Sequence, residues 1–127
     1  MPNKVLLIDD DPALVRMIRL ALLSEGLVVS TASDGLLGLE AVAADTFDII
    51  VLDLQMPNMD GRGFFREYRA RGGTTPIILL SAYGAQSART ELGAEGAISK
   101  PFDPVVLIRT IQTLVPAEEA CDSPAQS

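Results

Sequence analysis

The sequence predicts an α/β fold, a three-layer sandwich in which one parallel sheet lies between two layers of helices. Three observations predict it. The runs KVLLI (4–8), IIVL (49–52) and PIILL (76–80) are apolar without alternation, the pattern of strands buried on both faces. Between them lie stretches whose apolar residues recur with the period of a helix. Strands and helices alternate along the chain, which makes βαβ units. Right-handed crossovers then bring every strand's carboxyl end to one edge of the sheet.

In chain order, the first strand (4–8) runs into Asp9, Asp10 and Asp11. Asp11 before Pro12 reads as a helix N-cap with proline in the first turn. Leu14, Ile18, Ala21 and Leu22 give that helix one apolar face, and Gly26 stops it. Residues 27–31 form a second strand, and Ser33-Asp34-Gly35 opens a second helix with Leu36, Leu39, Val42 and Ala43 expected inward. The third strand delivers Asp53, after which Pro57 and Gly61 turn the chain. The third helix, 61–71, points Phe64, Phe65 and Tyr68 at the core, while Arg62, Arg66 and Arg69 form a basic stripe read as a solvated face.

The fourth strand ends in Ser81 and Ala82, a short helix covers 86–92, and a short strand at 96–99 leads to Lys100-Pro101. A last helix runs to about residue 115. Its Leu107, Ile111 and Leu114 make an inward stripe, and Val105, Ile108 and Val115 widen the apolar surface. That width fits either core packing or a homodimer contact. Residues 1–116 then form one domain, and the small, acidic, proline-containing segment 117–127 is expected to be a disordered tail.

Composition excludes several function classes. The chain is 48% hydrophobic, yet it has no apolar run near the ~18 residues a membrane helix needs. No basic, hydrophobic leader opens it, and the single cysteine, Cys121, permits no internal disulfide, so a cytoplasmic location is expected. A net charge of −7 argues against a nucleic-acid surface, which must neutralise phosphates. Histidine is absent. That removes Ser-His and Cys-His nucleophiles, His-ligated zinc and any role as a phosphohistidine donor.

The strand ends carry Asp9, Asp10, Asp53, Ser81 and Lys100, so three carboxylates, a hydroxyl and an amine converge on one edge. Two carboxylates about 4 Å apart repel by roughly 4 kcal/mol at an effective dielectric near 20, so the cluster calls for a cation. An all-oxygen site with several carboxylates suits Mg²⁺ or Mn²⁺ rather than zinc. No G-x-x-x-x-G-K-[ST] loop occurs and no G-x-G-x-x-G follows the first strand, so nothing here cradles a nucleotide. Phosphoryl chemistry stays open if a partner brings the phosphoryl group. Asp53 would be the nucleophile, the metal and Lys100 would neutralise the transferred oxygens, and Ser81 would donate a hydrogen bond.

Four segments taken together go further: KVLLIDDD at the start, DLQMPNMDG around Asp53, LLSA at Ser81-Ala82, and LGAEGAISKPF around Lys100. Each alone recurs by chance, but here they stand in order at matching strand ends. Across residues 4–116 the chain resembles the receiver domain of two-component response regulators, of the stand-alone chemotaxis type. The resemblance implies a flavodoxin-like (βα)5 fold with strand order 2-1-3-4-5 and a site at the switch point between the first and third strands. It implies that Asp53 takes phosphate from a sensor histidine kinase or a histidine phosphotransfer protein. Asp10, Asp53 and the Gln55 backbone carbonyl would bind Mg²⁺, with Asp9 acting mostly through water. Ser81 and Lys100 would hold the phosphoryl group, Ala82 would keep access open, and the Lys100-Pro101 bond would be cis. The function implied is a phosphorylation-controlled switch or phosphorelay intermediate that catalyses only its own phosphorylation and slow dephosphorylation. Its downstream target would bind the face made by the fourth helix, fifth strand and fifth helix.

Two departures from the family qualify this. An aromatic usually stands three residues before the lysine, and here that position is Ala97. Tyr83 is the nearest aromatic that could substitute, the alternative being a ring packed on or beside the site without a switching role. Ser81 and Lys100 also lie closer together than is usual, so the fourth helix should be short, with Gly84 loosening its start. Gln55 and Tyr83 occupy positions that tune phosphate loss in the family, and a bulky Tyr83 would shield the phosphoryl group. Two further readings stay open. A pseudo-receiver binding module is kept alive by Ala97. A phosphatase of the haloacid dehalogenase type would need a second aspartate where Gln55 stands.

Overall fold

The computed structural model describes residues 3–56 and 59–115, so Pro57 and the expected tail at 117–127 lie outside the described residues. Strands β1 (Lys4–Ile8), β2 (Val28–Ala32), β3 (Ile49–Asp53), β4 (Ile77–Ser81) and β5 (Gly96–Ser99) alternate with helices α1 (Pro12–Ser24), α2 (Gly35–Ala44), α3 (Gly61–Ala70), α4 (Ala85–Leu92) and α5 (Pro104–Leu114). The strands form one parallel sheet in the order β2-β1-β3-β4-β5, as the resemblance implied. Register runs Val5 to Ile49 across β1 and β3, and Asp53 to Leu80 across β3 and β4.

The unbroken apolar runs have a direct cause: the sheet is buried on both faces. Leu6, Ile8, Ile50, Leu52, Ile77 and Leu79 point to one side, where Leu39, Phe64, Phe65 and Ala88 meet them. Val5, Leu7, Ile49, Val51, Ile78 and Leu80 point to the other, against Ile18, Leu22, Leu107 and Ile111. Alternate side chains of each strand thus serve different cores. Asp11 caps α1 as expected, its Oδ1 accepting from the N–H groups of Ala13 at 3.0 Å and Leu14 at 3.3 Å.

Helix α2 corrects the sequence reading. Leu36 and Ala43, expected inward, are exposed, and the buried positions are Gly35, Gly38 and Leu39. The helix is apolar nearly all round, so hydrophobicity does not fix its rotation. Close approach does. A Cβ on Gly38 would lie 2.6 Å from Ile8 Cδ1, so the helix presses a glycine against β1 and turns Leu36 to solvent. Gly38→Ala is expected to cost roughly 1–2 kcal/mol by overpacking, read as a lower urea midpoint at unchanged slope.

The basic stripe of α3 is a set of ion pairs rather than a free face. Arg62 and Arg66 both reach Glu91 of α4, at 2.6 and 3.7 Å, and Arg69 reaches Glu95 at 3.0 Å. Exposed pairs of this kind contribute little each; the two to Glu91 link α3 to α4 across the surface. Leu107 and Ile111 of α5 are buried together with Val115, the residue that caps its C-terminus, while Leu114 is only partly covered. Val105 and Val106 are exposed at its start.

Candidate functional site

Four of the five strands, the three inner ones and the edge strand β5, each present a polar or charged group at the carboxyl edge of the sheet. β1 leads into Asp9 and Asp10, β3 ends in Asp53, β4 ends in Ser81, and β5 leads into Lys100. Asp9, Asp53 and Ser81 are 1–2% exposed, Lys100 is partly covered, and Asp10 faces solvent. A carboxylate oxygen from each of Asp9, Asp10 and Asp53 lies within 4.8 Å of the other two. Lys100 Nζ stands 3.3 Å from Asp9 Oδ2 and 3.2 Å from Asp53 Oδ1. The expected convergence is therefore present, and the Lys100-Pro101 bond is cis.

Local backbone aims these carboxylates. Asp9 Oδ1 accepts from the Asp11 N–H at 3.0 Å, and Asp53 Oδ1 accepts from the Gln55 N–H at 3.3 Å. Glycine at 61 lets α3 begin against the end of β3, since a Cβ there would sit 2.3 Å from the Asp53 carbonyl oxygen. Burial pushes the Asp53 carboxyl above its ordinary value and the charge of Asp9 adds to this, while the Gln55 N–H and Lys100 pull the other way without cancelling it. Burial acts to lower Lys100, but Asp9 and Asp53 outweigh it and its ammonium is held above the usual range. Three carboxylates face one ammonium, so the cluster keeps an excess of negative charge on oxygen donors. That donor set fits a hard divalent cation such as Mg²⁺.

Ser81 points elsewhere. Its Oγ donates to the Tyr83 carbonyl at 2.7 Å and accepts from the Tyr83 N–H at 3.1 Å. The Tyr83 ring, expected either to act as a substitute switch or to pack on or beside the site, is 82% exposed. It neither covers Asp53 nor packs there, because its backbone rather than its ring is held by Ser81. The sequence reading also missed an apolar groove of about 420 Å³ beside Lys100, lined by Leu14, Met17, Ala82, Lys100, Pro101 and Phe102. Its one signal in the sequence was Met17, an apolar residue off the inward stripe of α1.

Comparison with known proteins agrees with this geometry. The sequence pattern described as "Response regulator receiver domain" matches residues 5–112. Protein RcaC of Microchaete diplosiphon is 35% identical over 115 residues, covering 88% of this chain and 18% of RcaC. The chain spans between 18% and 58% of the length of the curated relatives compared with it. Chemotaxis protein CheY4 of Vibrio cholerae superposes with a TM-score of 0.83 at 32% identity, covering 91% of this chain and all (100%) of CheY4. The receiver domain of sensor histidine kinase PA1611 from Pseudomonas aeruginosa, with magnesium in its active-site cleft, gives 0.83 at 30%, covering 92% and 100%. A chemotaxis protein and a kinase receiver are equally near in fold, so the likeness singles out no chemotaxis branch. Neither the phosphatase nor the pseudo-receiver reading finds support. The chain belongs to the family of response regulator receiver domains.

Proposed function

We propose that Asp53 is the phosphoacceptor of a phosphorylation-controlled switch or phosphorelay intermediate, working in the cytoplasm. The observation that carries this is the pairing of Asp53 with Lys100 at 3.2 Å inside an acidic cluster whose oxygens lie within 4.8 Å. Receiver domains take phosphate from histidine kinases and bind Mg²⁺ at an acidic site, and a sensor kinase or histidine phosphotransfer protein is the donor proposed here. An Asp53 carboxylate oxygen attacks phosphorus, the phosphorus–nitrogen bond of the donor's phosphohistidine breaks, and the imidazole keeps the electron pair and is protonated. Lys100 neutralises the oxygens that carry the transferred charge, and Ser81 donates its hydroxyl to them. Asp9, Asp10, Asp53 and the Gln55 carbonyl would hold Mg²⁺, which supplies further charge neutralisation when bound. The apolar groove next to Lys100 gives the donor protein a surface on which to rest. The downstream partner would use α4, β5 and α5, where Val105 and Val106 are exposed.

The test is transfer from a labelled phosphohistidine protein in the presence of Mg²⁺. Label is expected on Asp53 alone, with transfer lost on adding EDTA. Label retained in Asp53→Ala would overturn the assignment.

A further inference from the structure

Helix α4 is tied down in an uncommon way. It is entered through Gly84 at φ 65°, and no side chain caps its first turn. Tyr83, the residue before Gly84, is held at both its backbone groups by Ser81, whose hydroxyl gives its only proton to the Tyr83 carbonyl and accepts the Tyr83 N–H. The first turn is fastened sideways instead: Gln86 Nε2 donates to the Ala97 carbonyl of β5 at 3.1 Å, and Gln86 Oε1 accepts from Arg89 Nε at 3.0 Å. β5 is an edge strand of the sheet, so this side chain occupies a backbone acceptor beside an open edge. Ala97 carries a single methyl, which leaves the Gln86 amide free to reach the strand's backbone.

We propose that Gln86 is a clasp between α4 and β5, and that the Ser81 hydroxyl releases it. The proposal rests on Asp53 receiving a phosphoryl group. Asp53 lies in register with Leu80, next to Ser81, so phosphoryl oxygens there compete for the hydroxyl proton. A hydrogen bond to a charged oxygen is about twice as strong as one to a neutral carbonyl, so the competition favours the phosphoryl group. Donating to it takes the proton from the Tyr83 carbonyl. The loop then loses its tie, Gly84 supplies the backbone freedom, and α4 pivots so that Gln86 leaves Ala97. The outcome is an exposed edge on β5 and a freed first turn of α4, a changed surface reached without an aromatic side chain.

Hydrogen–deuterium exchange of the α4 amides tests this in the whole chain, with intact mass recording phosphate on Asp53. Gln86→Leu, which keeps the side chain's bulk and removes its donor, is expected to exchange about fivefold faster without any phosphodonor. That ratio corresponds to ~1 kcal/mol for one net hydrogen bond. The parent treated with acetyl phosphate and Mg²⁺ is expected to reach the same rates, and Ser81→Ala to show them untreated. Untreated Gln86→Leu exchanging like the parent would overturn the clasp. A parent carrying phosphate by mass but with unchanged α4 rates would overturn the release. A parent that gains no phosphate would overturn the role of Asp53 and with it the trigger, while the untreated Gln86→Leu comparison would still decide the clasp.

Discussion

Asp53→Asn is expected to accept no phosphoryl group and yet to melt higher than the parent in metal-free buffer. An amide is no nucleophile, so transfer stops. The stability gain follows from the raised ionisation of Asp53, caused first by burial and then by Asp9. A carboxyl whose folded value is raised contributes its full stability below the ordinary 3.8 and loses it as pH climbs through the raised value. Near pH 7 the parent therefore bears a buried, opposed charge that the amide lacks. The gain is on the order of 1 kcal/mol, or about 3–5 °C in melting temperature for a domain of this size. Thermal melts at pH 7 and at about pH 3.5 decide it: the difference should be present at the first and absent at the second. A variant that melts lower than the parent at pH 7 would sink the electrostatic account.

Lys100→Met should have the opposite sign and a larger size. The ammonium faces Asp9 and Asp53 at 3.3 and 3.2 Å, and both carboxylates are nearly inaccessible to water. Removing it leaves them facing each other uncompensated, which costs roughly 2–3 kcal/mol near pH 7, less than for a fully buried pair because the lysine is partly exposed. In the parent, Lys100 is raised above its ordinary 10.5, so its contribution is complete below that value and lost as pH rises through the raised one. In the variant the deficit should shrink as pH falls and Asp53, already held above its ordinary value by burial and Asp9 and now without the opposing ammonium, takes a proton. Added Mg²⁺ should also narrow it by supplying the missing positive charge, while transfer to Asp53 stays impaired. Urea titrations at pH 7 and pH 4, with and without Mg²⁺, report all of this. A deficit independent of both pH and Mg²⁺ would mean that only packing had been lost.

Most of the frame was legible because β1, β3 and β4 are covered on both faces and their sequences have no polar alternation to mislead. The convergence of Asp9, Asp53 and Lys100 was legible for a topological reason: parallel strands deliver their ends to one edge, whatever the loops do. What escaped the sequence were orientations set by close contacts. The rotation of α2 depends on Gly38 meeting Ile8, a distance no periodicity encodes. The partners of the arginine stripe, Glu91 and Glu95, lie on another helix and on the loop after it, so the stripe read as solvated. The Ser81–Tyr83 bonds are a short-range serine turn, a kind of contact that a hydroxyl two residues before a loop amide can signal. The aromatic at Tyr83 drew the eye to a ring, when its backbone was what mattered.

The glycine at the start of α3 has a reach beyond its own helix. With 2.3 Å between the place of a Cβ and the Asp53 carbonyl oxygen, no carbon fits there unless the end of β3 gives way. The helix and Asp53 therefore share one wall, and a load applied to α3 by a visiting protein would press directly on the backbone that carries the Asp53 carboxylate.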